Sequence, residues 1–395
     1  MQQTRLQILC QIESKFEMIQ TNQSLWLNSS LEKYRPNVKI DRAVITNPQN
    51  SMEKCLILEP NAVKQVAADT FAHQFRKRRT MLDNLSPYWR EIYKRQSEFE
   101  DAYVPLMESF TEEEWLETTR ELSRKSAAGP SGINYRILKK LPLDFIKFIL
   151  RFYNVCYRTS CNPTAWRQSN IIPIPKPEKF SYNISNTWPI ALLDVFRKVL
   201  TKMITKRLSY ILSTNGILKG HNFCGLKEES ISTPLNLLNN IMKDAKDHCK
   251  ELWILTQDMA KAYDSISMEC LRMSLYRLGI PNIFIDWLIN LFEGRSMKVI
   301  TAFGLSPSLN AADRIDQGDS ISPLLWRIFY DPLLCALQSD RRRGYQMNLI
   351  WPADIQNREE WKTYNLSVPA QAYMDDTSFM GRNREDLQSS VNIAN

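Results

Sequence analysis

Glycine is scarce in this chain, eleven residues in 395, and the first is Gly129. A long stretch without the residue that most readily reverses a chain predicts helix. Residues 1–110 therefore read as a mostly helical extension, with a looser middle around RPNVKIDRAVITNPQNS. Histidine is scarcer still, at three residues (His73, His221, His248), and none of the eight cysteines forms a C-x-x-C pair. A zinc site is not expected from that inventory, nor a disulfide framework at this length; the thiols read as reduced and the chain as intracellular, nuclear or cytoplasmic. No apolar run reaches the roughly eighteen residues a membrane span needs. The opening segment MQQTRLQILCQIESKFEM has acidic residues and no apolar block before a small-residue cleavage site, so no secretory signal is expected. Positive charge is not lacking: 51 Lys and Arg against 43 Asp and Glu give a net +8 and a pI near 9.0, a balance that suits a polyanionic partner.

Several segments declare their local structure. PNAVKQVAADTFAHQFRKRR (60–79) carries apolar residues at helical spacing and ends in a basic cluster. TEEEWLETTRELSRKS opens with a capping box, Thr111 with Glu114 three residues on. SAAGPSGINYRILKKLP is a Gly-Pro loop leading into a helix. SNIIPIPKPEKFSYNISNTWPIALL (169–193) is strand-like but broken by prolines, which predicts edge strands or a hairpin. The next helix has Asp194 as its N-cap. Val195, Phe196, Val199, Leu200, Met203, Ile204, Leu208, Ile211 and Leu212 form its apolar face, and Arg197, Lys198, Lys202, Lys206 and Arg207 lie around the rest. Further on come helices at 268–279 and from Asn282 to Phe292, a strand at MKVITAF, and a long buried helix after QGDSIS. The final REDLQSSVNIAN reads as the start of a helix.

The sharpest signal is QAYMDDTSFMG, 371–381. Adjacent aspartates repel and are poor strand formers, yet Asp375 and Asp376 interrupt a strand-like run. They read as the two-residue turn of a hairpin. Asp-Asp is also common in ordinary turns, so the pair needs a third acid to mean more. ELWILTQDMAKAYDSIS supplies it: an apolar strand at 252–255 delivers Asp258 at its end. Pairing the two elements in one sheet brings the acids to one edge, where they could hold two divalent cations, Mg²⁺ or Mn²⁺, for nucleotidyl transfer.

DMAKAYD, QGDSISPLL and YMDD, in that order, resemble the palm of reverse transcriptases, most closely those of non-LTR (LINE-like) retrotransposons. AAGPSGI, IPIPKP, WPIALLDVFRKVLTKMITKRL and GHNFCGL stand upstream in the family's order, so the resemblance spans about 126–395. It implies an α+β right-hand polymerase: fingers over 111–257, then a palm with an antiparallel sheet and packed helices over 258–395, ending before a thumb. It implies an RNA template, a DNA primer and deoxynucleoside triphosphates as partners. Asp258, Asp375 and Asp376 are then the catalytic and metal-binding acids. Tyr263 matches the aromatic that packs under the sugar and excludes a 2′-hydroxyl. Gln317 and Gly318 match the start of the helix beside the incoming nucleotide, and Lys176 or Lys179 the lysine near the triphosphate. Tyr373 and Met374 match the hairpin residues beside the primer end. Arg197, Lys198 and Lys202 are candidates for tracking a template backbone.

Three positions depart from the family pattern. Trp188 stands before Pro189 where the family has an arginine that grips the triphosphate, and a tryptophan cannot replace a charged fork. KEES (227–230) replaces a glycine-rich turn. Arg314 stands where a glycine is usual, and glycine would allow a backbone geometry that arginine resists. These departures keep a second reading open, an inactive retroelement remnant that retains nucleic-acid binding. An RNA-directed RNA polymerase shares the palm, but Tyr263 and YMDD argue against it. A purely structural helical protein would leave the three acids unexplained.

Overall fold

The computed structural model describes residues 39–46, 54–78, 85–124, 126–176, 180–226, 229–339, 344–351 and 362–394. Within the segment expected to be loose, β1 (Ala43–Thr46) pairs antiparallel with β2 (Lys54–Ile57). α1 (Pro60–Gln74) follows, with Pro60 in its first turn and the Glu59 carboxylate accepting from the amides of Asn61 and Ala62. Its apolar stripe, Val63, Ala67, Ala68 and Phe71, is buried against Ile171, Met297, Val299 and Leu309. This helix is thus packed into the domain that follows it. α2 (Pro87–Ile92) and a 3₁₀ stretch (Ser97–Met107) complete the described part of the first 110 residues, which is accordingly less helical than its glycine content suggests.

α3 (Glu112–Arg120) carries the capping box in full: the Thr111 hydroxyl accepts from Glu114 N, and the Glu114 carboxylate accepts from Thr111 N. After α4 (Tyr135–Leu138) and α5 (Leu143–Thr159), β3 (Gln168–Pro175) and β4 (Thr187–Leu192) form the proline-rich hairpin. β4 is an edge strand, as its proline requires, but β3 is not: residues 168–171 pair parallel with the later strand 295–301. Pro173 and Pro175 lie beyond that shared stretch, where no second neighbour needs their missing N–H. α6 (Val195–Thr214) is capped by Asp194, which accepts from Phe196 N at 2.8 Å. The expected apolar face is buried, Phe196 partly so, and Arg197 and Thr201 are buried with it.

α7 (Ser232–Asp247), β5 (Trp253–Asp258), α8 (Met268–Arg277) and α9 (Asn282–Asn290) come next. β6 (Arg295–Thr301) continues the five-stranded sheet, with β7 (Gly304–Leu305) and β8 (Leu309–Ala311) paired to it. α10 (Ser322–Gln338) is buried along most of its length. β9 (Tyr345–Trp351) pairs with β10 (Lys362–Val368), and β11 (Ala370–Tyr373) with β12 (Asp376–Gly381), before α11 (Arg384–Ala394). The fold is mixed α and β. A three-stranded antiparallel sheet, β11-β12-β5, lies over α10, and a five-stranded sheet packs on α1. No described helix is long and apolar enough to cross a membrane.

Candidate active site

Register brings the acids together. Asp376 faces Asp258 across the β12–β5 ladder, and directly opposed residues of an antiparallel pair project from one face. The hairpin turn lies one residue earlier than expected. Tyr373 pairs with Asp376, so Met374 and Asp375 make the turn and Asp376 begins β12. Met374 takes the left-handed conformation, φ +56°, which a two-residue hairpin favours. Its carbonyl is held twice, by Trp326 Nε1 at 2.7 Å and by Asn222 Nδ2 at 3.2 Å. Residues 221–223 add to the grip, with Ala372 N donating to His221 O and Phe223 N to Ala372 O.

Asp258 and Asp375 line one open cavity of about 610 Å³. No Lys or Arg pairs with Asp258, Asp375 or Asp376 among the described residues. Burial raises the Asp375 carboxyl above its ordinary range, and the charges of Asp376 and Asp258 add to the effect. Burial thus outweighs the mutual repulsion expected from the sequence. Among the described residues no three His, Cys, Asp or Glu side chains converge tightly enough to hold an ion alone. Asp376, opposite Asp258 on the ladder, is exposed beside Asp258 and Asp375. A two-carboxylate donor set fits a hard divalent cation that completes its shell with water and substrate phosphate, as Mg²⁺ commonly does.

Tyr263 reaches the same cavity from the other side of the turn. Its hydroxyl lies 3.8 Å from Met374 Sδ and its ring meets Trp326 edge-on at 6.2 Å. It is half-buried, with one side against this packing and another toward the cavity. Gln317 also lines the cavity, and its Oε1 accepts no hydrogen bond among the described residues. Gly318 has φ +120°, and a Cβ there would come within 2.6 Å of Ala191 O; Gln317 O accepts from Ala191 N at 2.6 Å. Glycine is required because the loop crosses β4 at backbone contact.

That loop is anchored by a buried ionic cluster. Asp316 accepts from Arg197 and Arg295, both at 2.9 Å, and Asp319 accepts from Arg197 at 3.1 Å and from the Thr201 hydroxyl at 2.7 Å. Arg314 adds a third guanidinium, 3.4 Å from Asp264 and 3.8 Å from Asp316. Burial alone would raise the Asp316 carboxyl, but the three arginines together hold it below its ordinary range. Burial lowers Arg295 to about 10 despite Asp316. Arg314 adopts φ +141°, the glycine-like backbone that its position called for, and is fully buried over the Phe75 ring at 3.9 Å.

The structure redirects most of the expected template contacts. Arg197 is buried on Asp316 and Asp319 and cannot meet a template. Lys202 pairs with Glu121 at 2.9 Å, Lys206 with Glu117 and Glu121, and Arg207 with Glu114. The acidic α3 segment thus takes up the basic side of α6. Lys198 is half-buried, which lowers its pKa. In the 76–79 cluster, Lys77 pairs with Glu269 and Arg78 bonds Asp313 and the Asp264 carbonyl; Arg79 lies outside the described residues. Lys176 lines the cavity, as does Trp188, while Lys179 lies outside the described residues. In KEES, Glu229 pairs with Arg327, and residues 227–228 lie outside the described residues. Gln74 and Lys261, also in the cavity wall, were missed by motif reading because Gln74 is far away in sequence and Lys261 stands between two better-marked positions. Asn222 belongs to the GHNFCGL segment, and motif order alone assigns it no role.

Residues 174–395 match the family described as reverse transcriptase (RNA-dependent DNA polymerase), more than half of the chain. Relatives from Drosophila melanogaster include the retrovirus-related Pol polyprotein from type-2 retrotransposable element R2DM, 24% identical over 64% of this chain and 24% of its own length. The probable RNA-directed DNA polymerase from transposon BS is 27% identical over 56% of this chain and 24% of its own. The RNA-directed DNA polymerase from mobile element jockey is 22% identical over 78% of this chain and 32% of its own. The chain therefore spans about a quarter to a third of the length of these curated relatives.

Proposed function

The chain belongs to the reverse transcriptase (RNA-dependent DNA polymerase) family, and from that premise we propose that it supplies the nucleotide-joining site of a non-LTR retrotransposon polymerase. The reaction is attack of a DNA primer 3′-hydroxyl on the α-phosphorus of a deoxynucleoside triphosphate, directed by an RNA template, with pyrophosphate leaving. The three-stranded sheet with α8 and α10 serves as palm, and the five-stranded sheet as fingers. One observation carries the reading: Asp258 at the end of a strand and Asp375 in a hairpin turn, far apart in sequence, share one open cavity and make no ion pair with a Lys or Arg among the described residues.

Asp258 and Asp375 would hold divalent cations, which in this chemistry acidify the attacking hydroxyl and neutralise the developing phosphate charge. The protein's own residues position the reactants. The Met374–Asp375 turn, pinned by Trp326 and Asn222, presents one carboxylate at a fixed height above β5. Tyr263, braced by Met374 and Trp326, presents a flat wall where the sugar lies, so a 2′-hydroxyl meets the ring. Gln317 offers an unused acceptor beside the nucleotide, on a loop that the arginine cluster prevents from shifting.

Primer extension on an RNA template with Mg²⁺ tests the reading. Extension by the wild type that Asp375→Asn abolishes, with template–primer affinity retained, is the expected result. Equal extension by both proteins would refute it. In the same assay Tyr263→Val should raise incorporation of ribonucleotides relative to deoxynucleotides, and an unchanged ratio would return Tyr263 to a packing role.

A further inference from the structure

We propose that Lys261 grips the triphosphate in this site and that Gln74, from the helix upstream of the family-matching region, positions it. The inference rests on the polymerase reading and adds a residue from outside the matched segment. Lys261 stands three residues after Asp258 and lines the same cavity. Its backbone is left-handed, φ +57°, a conformation that a lysine adopts only where its surroundings impose it. Nζ donates to Gln74 Oε1 at 3.0 Å, and Gln74 Nε2 donates to Asp264 Oδ2 at 2.6 Å. Gln74 and Asp264 are both buried, and Asp264 is backed by Arg314 at 3.4 Å. The amide's orientation is settled by its neighbours, a cation on one side and a carboxylate on the other.

This arrangement holds the ammonium in place without neutralising it. Its partner is an uncharged amide, and among the described residues no carboxylate makes an ion pair with it; the nearby Asp264 faces Gln74 and Arg314 instead. Lys176 lines the same cavity; burial lowers the pKa of Lys261, the charge of Asp264 opposes that, and those of Lys176 and Arg78 add to the lowering. Three carboxylates, Asp258, Asp375 and the Arg314-backed Asp264, and two lysines around one opening suit a ligand that is itself a polyanion carrying a divalent cation. At Trp188, on the same wall, the family's arginine is absent, so positive charge for the phosphates has to come from other residues. Lys261, held from α1, is placed to supply it. Gln74 touches no substrate in this scheme and acts only through Lys261.

Calorimetric titration of the whole chain with deoxythymidine triphosphate and Mg²⁺, and separately with inorganic tripolyphosphate and Mg²⁺, tests this. Lys261→Ala should weaken both by roughly tenfold or more, the loss of a charge-assisted contact, and Lys261→Arg should recover most of it. Gln74→Leu should weaken both by a smaller factor in the wild-type background and have no further effect once Lys261 is Ala, which a general loss of stability would not reproduce. Mn²⁺ affinity in the absence of nucleotide should not fall in any variant. Wild-type affinity retained by Lys261→Ala would overturn the assignment while leaving the polymerase reading intact. Additive losses in the double variant would overturn the role of Gln74. A Lys261→Ala protein weakened toward template–primer and not toward triphosphate would show that the lysine serves nucleic acid, and would overturn it too. No binding of either triphosphate by the wild type would remove this inference together with the reading beneath it.

Discussion

Two groups of aspartates have opposite surroundings. Asp316 and Asp319 are buried and meet Arg197 and Arg295, with Arg314 close by. Asp258 and Asp375 border an opening, Asp376 stands opposite Asp258, and none of the three makes an ion pair with a Lys or Arg among the described residues. The first group costs desolvation, which its arginines offset, and serves to fix backbone. The second makes no ion pair among the described residues, so a bound cation is what most relieves its repulsion. Identical side chains therefore divide into scaffold and chemistry by whether the protein supplies their counter-charge.

The largest effect should come from the open group. Asp375→Asn should cost several kcal/mol of transition-state stabilisation, roughly three orders of magnitude in primer extension, while leaving the urea midpoint unchanged or raised. Single-turnover kinetics and denaturation on one preparation would show the split; a large loss of stability would erase the distinction between the groups.

Asp316→Ala should do the reverse. Removing one partner leaves buried guanidiniums unpaired, at a cost of about 3–5 kcal/mol, measured by urea unfolding. The pH dependence has a definite sign. The folded-state carboxyl of Asp316 is held below its unfolded value, so its contribution is complete above about pH 4 and is lost as pH falls through the folded value. Acid unfolding of the wild type should therefore steepen below about pH 4, and Asp316→Asn should remove that component. Identical acid limbs in the two proteins would break the argument.

Gly318→Ala should cost about 1–3 kcal/mol, since φ +120° is strained for any side chain and Ala191 O blocks the Cβ. It should also raise the apparent KM for nucleotide by displacing Gln317, and an unaffected melting temperature would contradict the close approach. Trp188→Arg adds a cation to the open side, and a charge-assisted contact there should lower the nucleotide KM by roughly tenfold. Metal affinity should not move, and a constant KM would mean that the lysines already suffice. The smallest effect is expected at the α3–α6 pairs. Lys206→Ala should change stability by less than about 1 kcal/mol and leave the salt dependence of RNA binding unaltered, because its charge is already taken by Glu117 and Glu121.

Much of this site was legible in the linear order of residues. Asp258 ends a strand as its apolar lead-in predicts, Thr111 with Glu114 forms the box that its spacing predicts, and Asp194 caps the helix that it precedes. Such features are local, decided within about four residues by hydrogen-bond reach and periodicity. The resemblance marks Arg314 as standing where a glycine is usual, and its φ of +141° is the glycine-like backbone of that position.

The order of the motifs and the type of each local element were determined by the sequence by itself, because both depend on near neighbours along the chain. The fate of the charges was decided only by tertiary structure. Nothing near Arg197 in sequence distinguishes it from Lys202, yet one is sealed under Asp316, 119 positions away, and the other lies at the surface on Glu121. Gln74 belongs to the cavity only because α1 packs where residue 264, 190 positions on, can accept its proton. Charge is long-ranged and its energy depends on burial, so a basic stripe on a helix can be a binding surface or a satisfied contact, and only the neighbours brought in by folding decide between them.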